Sequence, residues 1–210
     1  MSADGAPARG LGGAYWRLFA ANVTSNLGDG IGIVAYPWLA SVVTRNGLLV
    51  ALITVVQRLP WLFFTLPAGV ITDRVDRRRA MVAMDTTRAV LTVVLAVGVL
   101  ADQGVLPKSP DLVTGTRTGL YALILVVTLL LGIAEVLRDN SAQTLLPSVV
   151  GADLLEKANG RMWSAELTMN AFAGPPLGAL LLGIALSLPI FADAASLAIA
   201  EALVATLPGR

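Results

Sequence analysis

Several ionisable side chains lie inside long apolar stretches of the chain, where a charge is costly and usually faces protein or water rather than lipid. Asp29, Glu135 and Glu166 are the candidates for chemistry, because a buried carboxyl group can hold and release a proton. The chain contains no His, so any proton coupling here must use such acids. Arg58 and Arg138 are the charge partners expected for these carboxylates.

Asp29 and Arg58 occupy similar depths in two successive apolar stretches. Asp29 lies about eleven residues from the inner end of the first, and Arg58 about ten residues from the outer end of the second. At about 1.5 Å of rise per helical residue, both fall about 15 Å deep. We therefore expect the two to meet, either as a structural ion pair or as parts of a cavity wall.

Other charges are spaced for contacts along one helix. Asp85 with Arg88, and Glu135 with Arg138, stand at i,i+3, a spacing that brings opposite charges together on one helix face. We interpret the first pair as structural. Asp139 is expected to approach the arginine-rich connection described below. Among the remaining acids, Asp193 lies near the outer end of the last apolar stretch. Among the aromatic residues, Tyr36 is expected either to line a cavity or to pack against other helices.

The composition excludes several classes of function. The absence of Cys and His removes thiol nucleophiles, thiolate metal sites, the usual zinc ligand and the usual catalytic base. No nucleophile–base or metal constellation remains, so we expect neither an enzyme nor a cofactor or metal. A net charge of +1 gives no basic field for nucleic acid.

The elements that must position these residues are membrane-spanning helices. Hydrophobic residues make up 56% of the chain and charged residues 14%, against about 25% charged in soluble proteins. Windows of about 20 apolar residues, enough to cross a bilayer as a helix, follow one another. We predict an all-α polytopic membrane protein whose fifth span begins as a helix near Asp153. The predicted spans are Leu18–Val43, Leu48–Ile71, Ala80–Leu100, Gly119–Leu145, Met162–Leu186 and Pro189–Leu207.

Basic residues in the connections predict the orientation. Nine Lys and Arg residues fall on the side of both termini and three on the opposite side, so both termini are expected in the cytoplasm. Residues 1–13 are rich in Gly, Pro and Ser and are predicted to form a disordered cytoplasmic tail.

The connection between the second and third spans is the most specific motif. Gly69 has no side chain, so the end of the second helix can approach a neighbour closely. The four arginines hold the hairpin on the cytoplasmic side, while Asp73 and Asp76 can pair with them or cap a helix N-terminus. The alternative is a simple cytoplasmic anchor with incidental carboxylates.

A second motif lies in the fifth span. Gly174 and Gly178 form a small-xxx-small face for helix packing. Pro175 and Pro176 each remove a backbone donor and are expected to bend the helix. A kinked packing helix without a role in coupling is the alternative interpretation.

Both motifs resemble the major facilitator superfamily. The loop follows the pattern Gly-x-x-x-Asp-Arg-x-x-Arg-Arg, and Asp76, where the general pattern prefers Gly, is typical of the enterobactin-exporter and macrolide-efflux branch. Its matching residues are Gly69, Asp73, Arg74, Arg77 and Arg78. The resemblance implies that this loop stabilises the outward-facing state, by contacts between helices and partly with the other half of the protein.

The fifth-span motif resembles that of drug:proton antiporters, Gly-x-x-x-Gly-Pro-x-x-Gly-Gly. Gly174, Pro175 and Gly178 match, whereas Asn170 replaces the first Gly and Ala179 the last. Weaker similarities lie at Asn26–Gly30, Arg58–Trp61, Leu146–Pro147 and Ala158–Gly160.

The resemblance implies one half of a major facilitator fold, residues 14–207, built as two three-helix inverted repeats. Residues 208–210 would begin a cytoplasmic linker, and the C-terminal half, or a second copy of the chain, is the expected partner. The implied function is efflux of small amphipathic or apolar compounds (drug, macrolide or siderophore-like) by proton antiport across the bacterial plasma membrane. A non-transporting membrane subunit or scaffold is the alternative. Membrane lipids, protons and the transported compound are the other expected partners.

Overall fold

The computed structural model describes residues 10–102, 104–107 and 109–207, and the regular elements in these ranges are helical. Seven helices and a π-helical segment form the bundle, with short 3-10 turns at Pro110–Leu112 and Ala152–Leu154. They are α1 Gly12–Val43, α2 Gly47–Thr72, α3 Arg77–Asp102, α4 Thr118–Val149, α5 Leu155–Leu167, the π-helical segment Thr168–Ala173, α6 Gly174–Ile184 and α7 Leu188–Ala205.

The helix ends differ slightly from the predicted ones. α1 already begins at Gly12, inside the predicted tail, while residues 1–9 of that tail and the predicted linker at 208–210 lie outside the described residues. The fifth helical stretch starts at Ala152, which agrees with the predicted start near Asp153.

Five helical stretches of the described chain are long and apolar enough to cross a membrane. They are Gly47–Thr72, Arg77–Asp102, Thr118–Val149, Ala152–Ile184 and Leu188–Ala205. α1 is not among them, although it has 32 residues. Its middle carries Asn22, Ser25, Asn26 and Asp29, which dilute the apolar content of an otherwise sufficient length. These same residues face the interior of the bundle, as described below.

The core of the bundle has two apolar ends and a charged middle. One apolar cluster includes Leu39, Leu95 and Ile124, and the other includes Leu18, Met81 and Leu146. Asp85, Arg88 and Arg138 are buried between them. The interior is thus divided into layers, and the ionisable residues share one of them.

α2 and the α5–α6 stretch lie at the periphery of the bundle. α2 packs mainly on α4, and α5 and α6 pack mainly on α1, so each leaves apolar side chains exposed. The most exposed large apolar residues of α2 and the α5–α6 stretch are Leu48, Leu62, Phe63, Leu66, Trp163, Phe172, Leu180 and Ile184. Exposed apolar surface on this scale suits lipid or another apolar body.

The break between α5 and α6 follows from the two prolines. Pro175 and Pro176 lack amide hydrogens, so the carbonyls of Ala171 and Phe172 lose their ordinary helical donors. The chain accommodates the missing donors by forming a wider, π-helical turn at Thr168–Ala173. The next helix, α6, then starts with both prolines in its first turn. The helix is thus distorted immediately before the prolines that were predicted to bend it.

Candidate functional site

A polar cavity of about 90 Å³ lies in the charged layer. Residues from α1, α2, α3, α4, the π-helical segment and α7 line it. They are Asp29, Ile33, Tyr36, Gln57, Arg58, Arg88, Thr128, Leu131, Gly132, Glu135, Asn170 and Asp193. Two predicted proton-coupling acids, Asp29 and Glu135, therefore share one cavity with a predicted charge partner, Arg58.

Asp29 is held by Arg88 of α3. The Arg88 guanidinium donates to Asp29 Oδ1, and its Nη1 donates to Ser25 Oγ at 3.0 Å. The predicted ion pair between Asp29 and Arg58 is wrong, because Arg58 makes no ion pair within the described chain, but both residues line the cavity, as the alternative of a shared cavity wall predicted. Depth along the helices correctly placed both residues in one layer, but it did not fix the direction in which each side chain points.

Beside the cavity lies a group that we call the enclosed cluster, Asp85, Arg88 and Arg138. Asp85 Oδ1 is 3.8 Å from Arg88 Nη1 and 3.5 Å from Arg138 Nε. The predicted i,i+3 pair of Asp85 and Arg88 is thus confirmed. Asp85 and Arg138 have no solvent exposure, so these charges compensate one another inside the protein.

Arg138 does not pair with Glu135, contrary to the i,i+3 expectation. Its Nη1 donates to Asn22 Oδ1 at 2.6 Å and to Asp139 Oδ1 at 3.0 Å. Asp139 therefore lies at Arg138 and not at the arginine-rich connection. The reason is that Asp85 and Asn22 approach Arg138 from neighbouring helices, and these partners direct its side chain away from Glu135.

The other two predicted acids differ in position. Glu135 faces the cavity and interacts electrostatically with Arg88 and Arg58. Glu166 lies on α5, half-buried, and is not one of the residues that line the cavity. The structure thus brings Glu135 together with Asp29 but leaves Glu166 apart from them.

Asp193 of α7 is a cavity residue that the sequence reasoning missed. It was expected near the outer end of its span, yet it is only 4% exposed and lines the cavity. Tyr36 of α1 donates its hydroxyl hydrogen to Asp193 Oδ2 at 2.7 Å. Its position could have indicated this role, because Asp193 lies in the second turn of the apolar helix α7 and acids in such helices usually face a protein interior.

Asn170 joins the π-helical segment to α1. Its Nδ2 donates to Asn26 Oδ1 at 2.8 Å, and Asn170 also lines the cavity. In α6, which follows this segment, a Cβ added at Gly174 would collide with the backbone of Gly30 in α1, and a Cβ added at Gly178 would collide with the backbone of Ile31. The predicted small-residue packing face is confirmed, and it brings α6 against α1 beside the cavity.

The arginine-rich connection shows a helix cap but no close approach at Gly69. Asp76 Oδ1 accepts from Arg79 N at 2.8 Å and caps α3, one of the two predicted roles of the carboxylates. A Cβ at Gly69 would meet nothing within 4 Å, so the expected close contact is wrong in this conformation: the end of α2 faces open space there.

The rest of the connection lies along the ends of other helices. Arg78 donates to the carbonyl of Ala205 at the end of α7. Asp73, Arg77 and Arg78 line a groove of about 500 Å³ together with residues of α1 and α4. Arg74 is exposed and makes no ion pair within the described ranges. The predicted switch residues therefore contact the bundle mainly through Arg78.

A layered helical bundle with apolar outer surfaces and a charged interior cavity defines a multi-pass membrane protein. The family model described as transmembrane secretion effector, of the major facilitator type, matches residues 6–208. The chain belongs to this family.

One curated relative is the multidrug efflux pump Tap of Mycolicibacterium fortuitum. It is 30% identical over 167 residues, which cover 79% of this chain. The chain spans only 37% of the length of that relative. No solved structure matches the chain significantly.

Proposed function

We propose that this chain forms a six-helix transmembrane bundle that exports small amphipathic or apolar compounds in exchange for protons. The carrying observation is the cavity, where the carboxylates of Asp29, Glu135 and Asp193 face the guanidinium groups of Arg58 and Arg88. Carboxylates inside a membrane bundle are costly and mark proton relays, and Glu135 and Asp193 make no ion pair within the described chain that would offset this cost. The similarity to the multidrug efflux pump of Mycolicibacterium fortuitum supports export.

The sixth span in this proposal is α1. Its polar residues face the bundle, as Ser25, Asn26 and Asp29 do through their contacts with Arg88 and Asn170. A helix whose polar groups are satisfied inside the protein can cross a membrane despite moderate hydropathy. With α1 included, the bundle has the number of helices expected of half a major facilitator transporter.

The size of the cavity indicates what it can hold. A volume of about 90 Å³ admits a few water molecules, and Thr128 Oγ1, which has no hydrogen-bond partner within the described chain, offers them a polar contact. Pockets for drug-sized ligands measure about 300–1,000 Å³. The cavity therefore suits protons and water, and the transported compound needs a larger space.

That space is proposed to form between this bundle and a second one. α2 and the α5–α6 stretch expose apolar side chains on either side of the cavity, which gives a second body a surface to rock against. The second body is either another six-helix half or a second copy of this chain. Alternating access needs two such bodies around one site. We place the assembly in the bacterial plasma membrane, in contact with its lipids and with both termini in the cytoplasm.

The test is efflux of the dye ethidium from cells or proteoliposomes that contain the complete gene product. We expect efflux that follows an imposed proton gradient and stops when a protonophore collapses it. Asp29→Asn should abolish the response to the gradient, because Arg88 loses its counter-charge at the cavity. Asp111→Asn, on the connection between α3 and α4, is the matched control and should behave as the parent protein.

The outcomes separate the alternatives. Efflux that ignores the proton gradient would exclude antiport while leaving export standing. A protein that is correctly inserted but moves none of a panel of cationic, neutral and anionic dyes would support a non-transporting scaffold.

A further inference from the structure

We propose that Asp193, paired with Tyr36, is the carboxyl group that binds the exchanged proton, and that Asp29 serves instead as the fixed counter-charge of Arg88. This inference rests on the proposed proton exchange and assigns it to one residue. The two acids line the same cavity, yet their hydrogen-bond partners differ in kind.

Asp193 has a neutral donor on one oxygen and none on the other. Tyr36 donates to Oδ2 at 2.7 Å, while Oδ1 is buried and has no hydrogen-bond partner within the described part of the chain. A buried carboxylate oxygen without a donor or a cation is expensive. A proton on Oδ1 removes that charge and leaves the hydrogen bond from Tyr36 to Oδ2 intact.

Asp29 has the opposite environment. Its Oδ1 accepts from the guanidinium of Arg88, which also bonds Ser25 and lies within 3.8 Å of Asp85. Protonation of Asp29 would remove the nearest counter-charge of an arginine that is only 2% exposed. A buried ion pair is strongly destabilised when one partner is neutralised, so Asp29 is better suited to remain charged.

The charges that face Asp193 come from several helices. Tyr36 and Asp29 approach from α1 and Arg88 from α3, while Arg58 of α2 and Glu135 of α4 line the same cavity. The cavity wall thus holds three carboxylates against two guanidinium groups. Asp193 differs from Asp29 and Glu135 in having a buried oxygen without a hydrogen-bond partner within the described chain, so the geometry places a bound proton there.

Gly28 of α1 determines how Asp193 is seated. A Cβ at Gly28 would overlap Asp193 Oδ1 and Ser196 Oγ, so the absence of a side chain there makes room for the carboxyl group. The backbone of α1 and the hydroxyl of Tyr36 thus fix the two oxygens of Asp193 from one helix.

The exchange itself is a simple proton transfer. When the cavity opens to one side, a hydronium ion that reaches Asp193 gives its proton to Oδ1, an O–H bond forms and water remains. When the cavity opens to the other side, that bond breaks and the proton returns to water. Tyr36 keeps its own proton throughout and acts as a positioning residue.

The direct test is infrared spectroscopy of the purified complete gene product in lipid nanodiscs, titrated with pH and without any transported compound. We expect the carbonyl stretch of a protonated carboxyl group, which disappears in Asp193→Asn and persists in Asp29→Asn. Glu201→Gln, eight residues along α7 and outside the cavity lining, is the matched control and should keep the band. A band that survives in Asp193→Asn and is lost in Asp29→Asn would overturn the assignment.

Tyr36→Phe provides a second variant that preserves shape. It removes the hydrogen bond to Oδ2, so the carbonyl stretch of Asp193 should move to higher frequency while the band remains. An unmoved band would show that another carboxyl group carries the proton.

The two proposals fail in different ways. If the band follows Asp193 but dye efflux ignores the proton gradient, the proton site stands and antiport is wrong. If efflux follows the gradient but the band does not respond to Asp193 or Tyr36, antiport stands and this assignment is wrong.

Discussion

The enclosed cluster and the cavity wall use the same residue types in different surroundings. In the enclosed cluster, Asp85 lies between Arg88 and Arg138, and the side chains of Asp85 and Arg138 have no solvent exposure. At the cavity wall, Glu135 and Asp193 face a space large enough for water, and Arg58 makes no ion pair within the described chain. Arg88 belongs to both regions because it contacts Asp29 on one side and Asp85 on the other.

The difference shows that an acid inside a membrane bundle is not by itself a proton carrier. A carboxylate enclosed by arginines joins helices and is costly to change, because either partner alone would be an uncompensated buried charge. A carboxylate beside a water-sized space can change its protonation state at a lower cost. Substitutions in the enclosed cluster should therefore change mainly the free energy of unfolding. Substitutions at the cavity wall should change mainly the dependence of efflux on protons.

The largest effect is expected for Arg138→Met in the enclosed cluster. This change leaves Asp85 and Asp139 with one cation fewer and should lower the free energy of unfolding by about 3–5 kcal/mol. Denaturant unfolding of the purified protein in detergent measures the change. Arg79→Ala, at an exposed position, should stay within about 0.5 kcal/mol. Equal effects of the two substitutions would refute the structural role of the cluster.

Gly28→Ala tests how tightly the cavity wall is packed. The added methyl group overlaps Asp193 and Ser196, so we expect a loss of about 1–3 kcal/mol from overpacking. Gly160→Ala in α5 meets nothing within 4 Å and should stabilise the helix by about 0.5–1 kcal/mol. Opposite signs in thermal unfolding would confirm the contact between α1 and α7, and equal signs would contradict it.

Asp76→Ala extends the comparison to an acid outside both regions. It removes the cap on α3 and should cost about 1 kcal/mol. Asp73→Ala, at the end of α2, is the control, because the Asp73 side chain makes no hydrogen bond within the described chain. Helix stability measured by circular dichroism during thermal unfolding should separate the two. If the control is as damaging as Asp76→Ala, the acids of this connection act by something other than capping.

The smallest change in stability is expected for Glu135→Gln. Glu135 borders the cavity and is not held in an ion pair, so the unfolding free energy should change by less than about 1 kcal/mol. The dependence of dye efflux on pH should change instead, since the cavity loses one negative charge. A loss as large as that of Arg138→Met would remove the distinction between the two regions.

The sequence predicted the helices far better than the contacts between charges. Each predicted span lies on a helical stretch of the structure, and five of the six lie on stretches that are long and apolar enough to cross lipid. The i,i+3 pair of Asp85 and Arg88 was also predictable, since both residues lie on one helix. The packing of Gly174 and Gly178 followed from their lack of side chains.

Contacts between helices were less predictable for a geometric reason. Residue counting gives the depth of Asp29 and Arg58 but not their direction around the helix axis, so the actual partner, Arg88, was not identified. Asp193 was missed because its partner Tyr36 is 157 residues away in the chain and looks like an ordinary aromatic anchor. Such pairs depend on how helices are arranged in space, which a single sequence does not encode in its periodicity.

The wide turn at Thr168–Ala173 carries a consequence for how this chain can vary. Each residue of an α-helix turns the following ones by about 100°, whereas a π-helical turn accommodates one extra residue over about the same total rotation. The wide turn therefore keeps Gly174 and Gly178 facing α1, and winding the same residues as a regular α-helix would rotate both glycines by about 100° away from it. A one-residue deletion in this segment should thus leave α6 packed on α1, whereas a change that removes the wide turn without shortening the chain should separate the two helices.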